Sequence, residues 1–214
     1  MSTQRSVIVL AAGQGSRFKA VDHKLAQRLG ESSVLATTLA NAHASHLRVV
    51  VVTTAAFADV ARSSVAARDV VILPEVGTPG AAGLGMGVSI AAGVGACPNS
   101  SGWLVLPGDM PLVRPATLVA VAHALDHHPV AFAQHLGRRG HPVGFAAELY
   151  SELAALSGDA GARRLVARYP AFAVELDDPG VLIDIDTEDD LAAARIGAFS
   201  AAAADRERPA AAET

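Results

Sequence analysis

Two lysines, an arginine and a pair of aspartates carry most of the chemistry this sequence can perform. Of its 17 Lys and Arg residues only Lys19 and Lys24 are lysines, and both fall in one stretch beside Arg17. That stretch comes after Leu10-Ala11-Ala12-Gly13 and includes Gly15. Small residues let backbone N–H groups approach an anion, and the cations behind them neutralise a polyphosphate. Lysine, a compact charge on a flexible stem, suits a phosphate that shifts during reaction. Asp109 lies in Leu106-Pro107-Gly108-Asp109-Met110-Pro111, directly after an apolar run. A carboxylate there can hold a phosphate-bound Mg²⁺; an Asx-type turn or helix cap is the plainer alternative. The second carboxylate is sought in Ile183-Asp184-Ile185-Asp186-Thr187. Read as a strand end, its period of two puts Asp184 and Asp186 on one face, with Asp186 the stronger metal candidate. Helix capping also accounts for an acid at that position.

Other polar segments exceed what a scaffold needs. Gly137-Arg138-Arg139-Gly140-His141-Pro142 offers guanidiniums and an imidazole in what reads as a turn. Gly158-Asp159-Ala160-Gly161-Ala162-Arg163 reads as a helix start with Asp159 as N-cap. Gly83-Leu84-Gly85-Met86-Gly87 precedes another helix and can close amides around a base or phosphate, or act as a lid. A dinucleotide-binding fingerprint fails because Phe18 replaces the third glycine and the second strand ends in Thr53-Thr54. A Walker loop fails for want of Gly-Lys-Ser/Thr. Cys97 has no second cysteine to pair with, and the eight histidines show no helical metal spacing.

These groups need a frame that gathers them. Short β-branched runs at Val7–Leu10, Arg48–Thr53, Val70–Leu73, Trp103–Leu106, Val130–Ala133 and Val181–Ile185 alternate with helical patterns. The helices are expected at Val34–His43, Phe57–Ala67, Met86–Val94, Pro115–His127, Ala146–Leu156 and Ala160–Arg168, with a last one starting after the N-cap Thr187. Such alternation predicts a three-layer α/β/α fold with a mainly parallel, Rossmann-like sheet, in which ligands bind beyond the carboxyl ends of the strands. One domain is expected over residues 1–197, with 198–214 a disordered Ala-rich tail. Half the 214 residues are apolar (51%), enough for a full core, yet no run has a membrane helix's length and no signal-peptide apolar region opens the chain. The expectation is a cytoplasmic protein with no membrane contact. A net charge of −4 also argues against nucleic acid as partner.

Taken in order, LAAGQGSRF and HKL within residues 10–25, LPGDMPLV at 106–113, GRRGHPVGF at 137–145, GDAGAR at 158–163 and DIDTEDDL at 184–191 resemble the molybdopterin cytidylyltransferase family. That family belongs to the nucleotidyltransferases of nucleotide-diphospho-sugar transferase fold, and the resemblance runs from about residue 6 to 195. It implies Mg²⁺-dependent transfer of CMP from CTP to the terminal phosphate of a molybdopterin-type cofactor, with pyrophosphate released and a molybdenum hydroxylase to receive the product. It places Leu10, Ala11, Ala12, Gly13, Gly15, Arg17 and Lys24 at the nucleotide and makes Arg17, Lys24 and Asp109 catalytic. Asp109 and Asp186 become metal ligands, and Arg139, His141 and Asp159 meet the acceptor. Guanylyl-transferring relatives usually carry glycine where this chain has Ala12, which favours cytosine. GTP as donor, another phosphorylated acceptor, or a nucleotide-binding module without turnover remain the alternatives.

Overall fold

The computed structural model describes residues 4–13, 23–75 and 85–196. Six short β-branched or apolar stretches and one polar one assemble a seven-stranded sheet. Its strands are β1 (Ser6–Ala11), β4 (Arg48–Thr53), β5 (Val70–Ile72), β6 (Gly102–Pro107), β7 (Val130–His135), β8 (Arg138–Ala146) and β9 (Ala171–Glu175), in the order β5-β4-β1-β6-β8-β7-β9. Two further strands, β2 (Arg28–Leu29) and β3 (Ser32–Ser33), form a separate ribbon. Pairing is parallel except for β8, which runs antiparallel to both neighbours, β6 and β7.

Alternation along β1 divides the core. Val7 and Val9 face the helices α1 (Val34–Ala44), α4 (Pro115–Ala124) and the final helix over 188–196, whereas Ile8 faces α3 (Met86–Ala96), α5 (Tyr150–Ala154) and α6 (Arg163–Arg168). The short α2 (Ala58–Ser64) completes the first layer. Both faces of the sheet are therefore covered, as parallel strands require. The result is the three-layer nucleotide-diphospho-sugar transferase architecture. No helix among the described residues is long and apolar enough to cross a membrane.

Three expectations are corrected. The Gly137–Pro142 segment is no turn: the chain reverses earlier, at Leu136-Gly137 with φ of 50° and 72°, and Arg139 and His141 lie on strand β8. Two glycines and a proline disguised that strand. A bulge absorbs them, because between the pairs Phe132–Val143 and Gln134–Arg139 one residue of β7 faces three of β8. Residues 181–185 do not form a strand. Buried Asp178 accepts from the N–H of Gly180 over 3.0 Å and starts a 3₁₀ turn, Pro179–Leu182, so the apolar run is buried by packing instead of sheet pairing. Asp159 does not cap the helix after it, since α6 begins only at Arg163 behind Ala162.

The final helix starts as expected. Thr187 Oγ1 accepts from Asp190 N–H over 3.1 Å, and Asp190 Oδ2 accepts from Thr187 N–H over 2.8 Å, a reciprocal cap.

Candidate active site

The parallel strands β1 and β6 end side by side, and backbone hydrogen bonds tie down the loops that leave them. Gly108 N–H donates to the Leu10 carbonyl over 2.8 Å, joining the two loops directly. Buried Thr38 on α1 donates its hydroxyl to the Gly108 carbonyl over 2.9 Å, and Asn41 donates to the carbonyl of Pro111 over 2.8 Å. The Asp109 carbonyl then accepts from the N–H of Ile185 over 2.9 Å. Two segments 76 positions apart in sequence, at Asp109 and Ile185, are thereby held in register, and Asp186 arrives beside Asp109 without belonging to the sheet.

Lys24 closes the group. It opens a 3₁₀ turn, Lys24–Ala26, whose preceding residue His23 accepts from the Leu25 N–H at Nδ1 over 3.2 Å. That fixes the ring's other nitrogen, Nε2, as the N–H donor, and it reaches the Gly13 carbonyl over 3.0 Å. His23 thus ties Gly13 to the lysine turn, a role its place directly before Lys24 could have signalled. The Lys24 ammonium donates to Asp109 Oδ2 over 2.5 Å and to Asp186 Oδ1 over 2.6 Å. The three side chains are only 12%, 16% and 13% exposed, respectively. Burial opposes the lysine's charge, but Asp109 and then Asp186 outweigh it and raise its pKa above the ordinary lysine value. Asp184 hydrogen-bonds Asp186; burial first, then the charges of Asp186 and Asp109, push its carboxyl above the usual range. The Oδ1 of Asp109 is buried with no hydrogen-bond partner among the described residues.

The expected residues therefore separate into three sets. Lys24, Asp109 and Asp186 meet at the carboxyl edge of the sheet, next to Leu10, Ala11, Ala12 and Gly13 at the end of β1. Arg139 and His141 line a cavity of about 500 Å³ with Met86, Ile90, Val105 and Arg163. The Arg139 guanidinium lies 4.5 Å from the centroid of the Phe132 ring. Burial pushes the His141 pKa below its usual value, and His141 Nδ1 is buried without a partner among the described residues. Asp159 is not in that lining but adjoins it: its Oδ1 would lie 2.3 Å from a side chain placed at Gly85, at the start of α3, between the lining residues Met86 and Ala160. Arg163, expected only as part of a helix start, joins the cavity. Gly15, Arg17 and Lys19 lie outside the described residues, as do residues 83 and 84 of the glycine-rich segment.

The arrangement is a cation-and-carboxylate cluster at the carboxyl edge of the sheet, together with a partly apolar cavity lined by Arg139, His141 and Arg163. Residues 7–173 match the model of the MobA-like NTP transferase domain. The chain belongs to that family. As a MobA-like NTP transferase it is a nucleotidyltransferase with a nucleoside triphosphate as substrate. No curated protein matches its sequence.

Among solved structures, Rv0371c from Mycobacterium tuberculosis H37Rv, crystallised in complex with manganese, shares 26% identity at a TM-score of 0.74, over 92% of this chain and 100% of that one. A nucleotidyl transferase from Methanothermobacter thermautotroptrophicus, Mth528, shares 23% at a TM-score of 0.75, over 94% and 100%. The molybdopterin-guanine dinucleotide biosynthesis protein A from Archaeoglobus fulgidus shares 19% at a TM-score of 0.63, over 91% and 99%. The last two likenesses extend the fold assignment.

Proposed function

We propose that this transferase moves CMP from CTP to the terminal phosphate of a molybdopterin-type cofactor. The convergence of Lys24 with Asp109 and Asp186 beside the Leu10–Gly13 segment carries the reading. An acceptor phosphate oxygen attacks the α-phosphorus of CTP, the α–β bridging bond breaks, and pyrophosphate leaves with the electron pair. The nucleophile is already anionic, so no general base is needed and the protein's part is positioning and charge stabilisation. Lys24, with Arg17, neutralises the departing pyrophosphate. The acceptor's body occupies the cavity of Arg139, His141 and Arg163.

A divalent cation fits the carboxylates. Asp109 and Asp186 both reach one point, now taken by the ammonium, and Asp109 Oδ1 has no partner among the described residues. Mg²⁺ typically takes one or two carboxylates and completes its shell with substrate phosphates and water. When bound, it would neutralise charge on the triphosphate. That Rv0371c was crystallised in complex with manganese supports a divalent metal in the reaction, without placing it.

Ala12 supports cytosine through the resemblance to the cytidylyltransferases. The deciding experiment compares melting temperatures with CTP and GTP, each with Mg²⁺, because a ligand binding only the native state stabilises it by mass action. CTP is expected to give the larger shift, and pyrophosphate release is expected once molybdopterin is added as acceptor. A larger shift with GTP reverses the donor assignment.

A further inference from the structure

Resting on the reading that Asp109 and Asp186 hold the metal, we propose that Lys24 is an internal counter-ion that keeps this carboxylate pair closed to a lone divalent cation. The nucleotide's phosphates release it. The ammonium sits 2.5 Å from Asp109 Oδ2 and 2.6 Å from Asp186 Oδ1, the oxygens to which a cation would turn first. All three side chains are largely buried, so solvent does little to screen the contact. A cation arriving alone must break two charge-assisted hydrogen bonds. It must also take both carboxylates from a largely buried ammonium, which is costly in such surroundings.

A triphosphate changes that balance. It offers Lys24 new anionic oxygens, and the four-carbon stem lets the ammonium swing to them. Asp109 Oδ2 and Asp186 Oδ1 then lose their contacts with the Lys24 ammonium, and a divalent cation no longer has to displace it. Nucleotide and metal each strengthen the other's binding, and linkage requires the two effects to be equal. The device has a use: metal joins the site only when there is a triphosphate to activate.

The test uses the full chain and Mn²⁺ alone as probe, titrated by the electron paramagnetic resonance signal of the free ion. Wild type is compared with Lys24→Met, which keeps length but removes charge, and with Lys24→Gln, which keeps polarity. Both variants are expected to bind Mn²⁺ at least tenfold more tightly than wild type without nucleotide. Measured against the analogue's own Mn²⁺ affinity in protein-free solution, a non-hydrolysable CTP analogue is expected to tighten Mn²⁺ binding at least tenfold more in wild type than in the variants. Unchanged or weaker Mn²⁺ binding in either variant overturns the proposal. Asp109→Asn in the Lys24→Met background separates the two ideas. Loss of the tight Mn²⁺ site there supports both, whereas its retention shows that Asp109 is no ligand and removes the metal reading itself.

Discussion

The backbone N–H of Ile185 donates to the carbonyl of Asp109 over 2.9 Å. This one bond sets the distance between the chain leaving β6 and the chain entering the last helix. Because it is made by backbone, side-chain substitutions at Asp109 and Asp186 leave it intact. Charge at the site can therefore be changed without moving the frame.

Asp109→Asn is expected to lower transfer turnover by a factor of about 10² or more, on the order of 3 kcal/mol in the transition state, since the amide keeps shape but loses charge. Asp186→Asn should match it. Asp184→Asn, at a more exposed carboxyl, should cost less than about tenfold. Steady-state pyrophosphate release at saturating nucleotide, with melting temperature as the control for folding, measures all three. Wild-type rates in Asp109→Asn would remove it from the site.

Asp178 holds the last segment against α4. It is 2% exposed and accepts from Arg114 N–H over 3.0 Å, from Thr117 Oγ1 over 2.5 Å and from Gly180 N–H over 3.0 Å. Asp178→Ala strands three donors, those of Thr117 and Gly180 buried, and is expected to destabilise the fold by about 3 kcal/mol. Urea denaturation reads the loss, and a change below about 1 kcal/mol would show that water replaces the carboxylate.

Gly140 lets β8 approach the 3₁₀ turn Pro179–Leu182. A Cβ there would lie 2.1 Å from the carbonyl oxygen of Val181, which is backbone and cannot rotate away. Gly140→Ala should lower the melting temperature and displace the adjacent His141 and Arg139. Gly137→Ala, where nothing lies within 4 Å of the added carbon but φ is +72°, should cost only the strain of that turn. Equal melting temperatures for Gly140→Ala and wild type would contradict the packing.

His141 predicts an acid sensitivity. Burial holds its pKa below the ordinary value, so as pH falls below about 6.5 the unfolded chain takes up a proton that the folded chain resists. Native stability contributed by neutral His141 is then lost as pH drops. Between pH 7 and pH 5 the urea midpoint should fall less for His141→Gln than for wild type. An equal loss in both proteins assigns the acid sensitivity elsewhere.

Local signals in the sequence determined the elements whose energy is local or periodic. β4 runs over Arg48–Thr53 as the β-branched run requires, and Thr187 caps the last helix through its own hydroxyl and Asp190. The residue types also named the chemistry: a lysine, two aspartates and small residues after the first strand. Tertiary structure alone decided how they meet. The 3.3 to 3.4 Å rise per residue that governs a strand says nothing of a bond between Ile185 and Asp109, 76 positions apart. Nor does local propensity disclose β8, because Gly140 and Pro142 disfavour a strand until β7 and β6 supply partners and a bulge absorbs the surplus residues. Val181–Ile185 erred in the opposite direction, for an apolar run is equally satisfied by burial in a turn, and buried Asp178 selected the turn. The pairing of Lys24 with both carboxylates arises from these long-range contacts, since electrostatic attraction depends on separation in space and not along the chain.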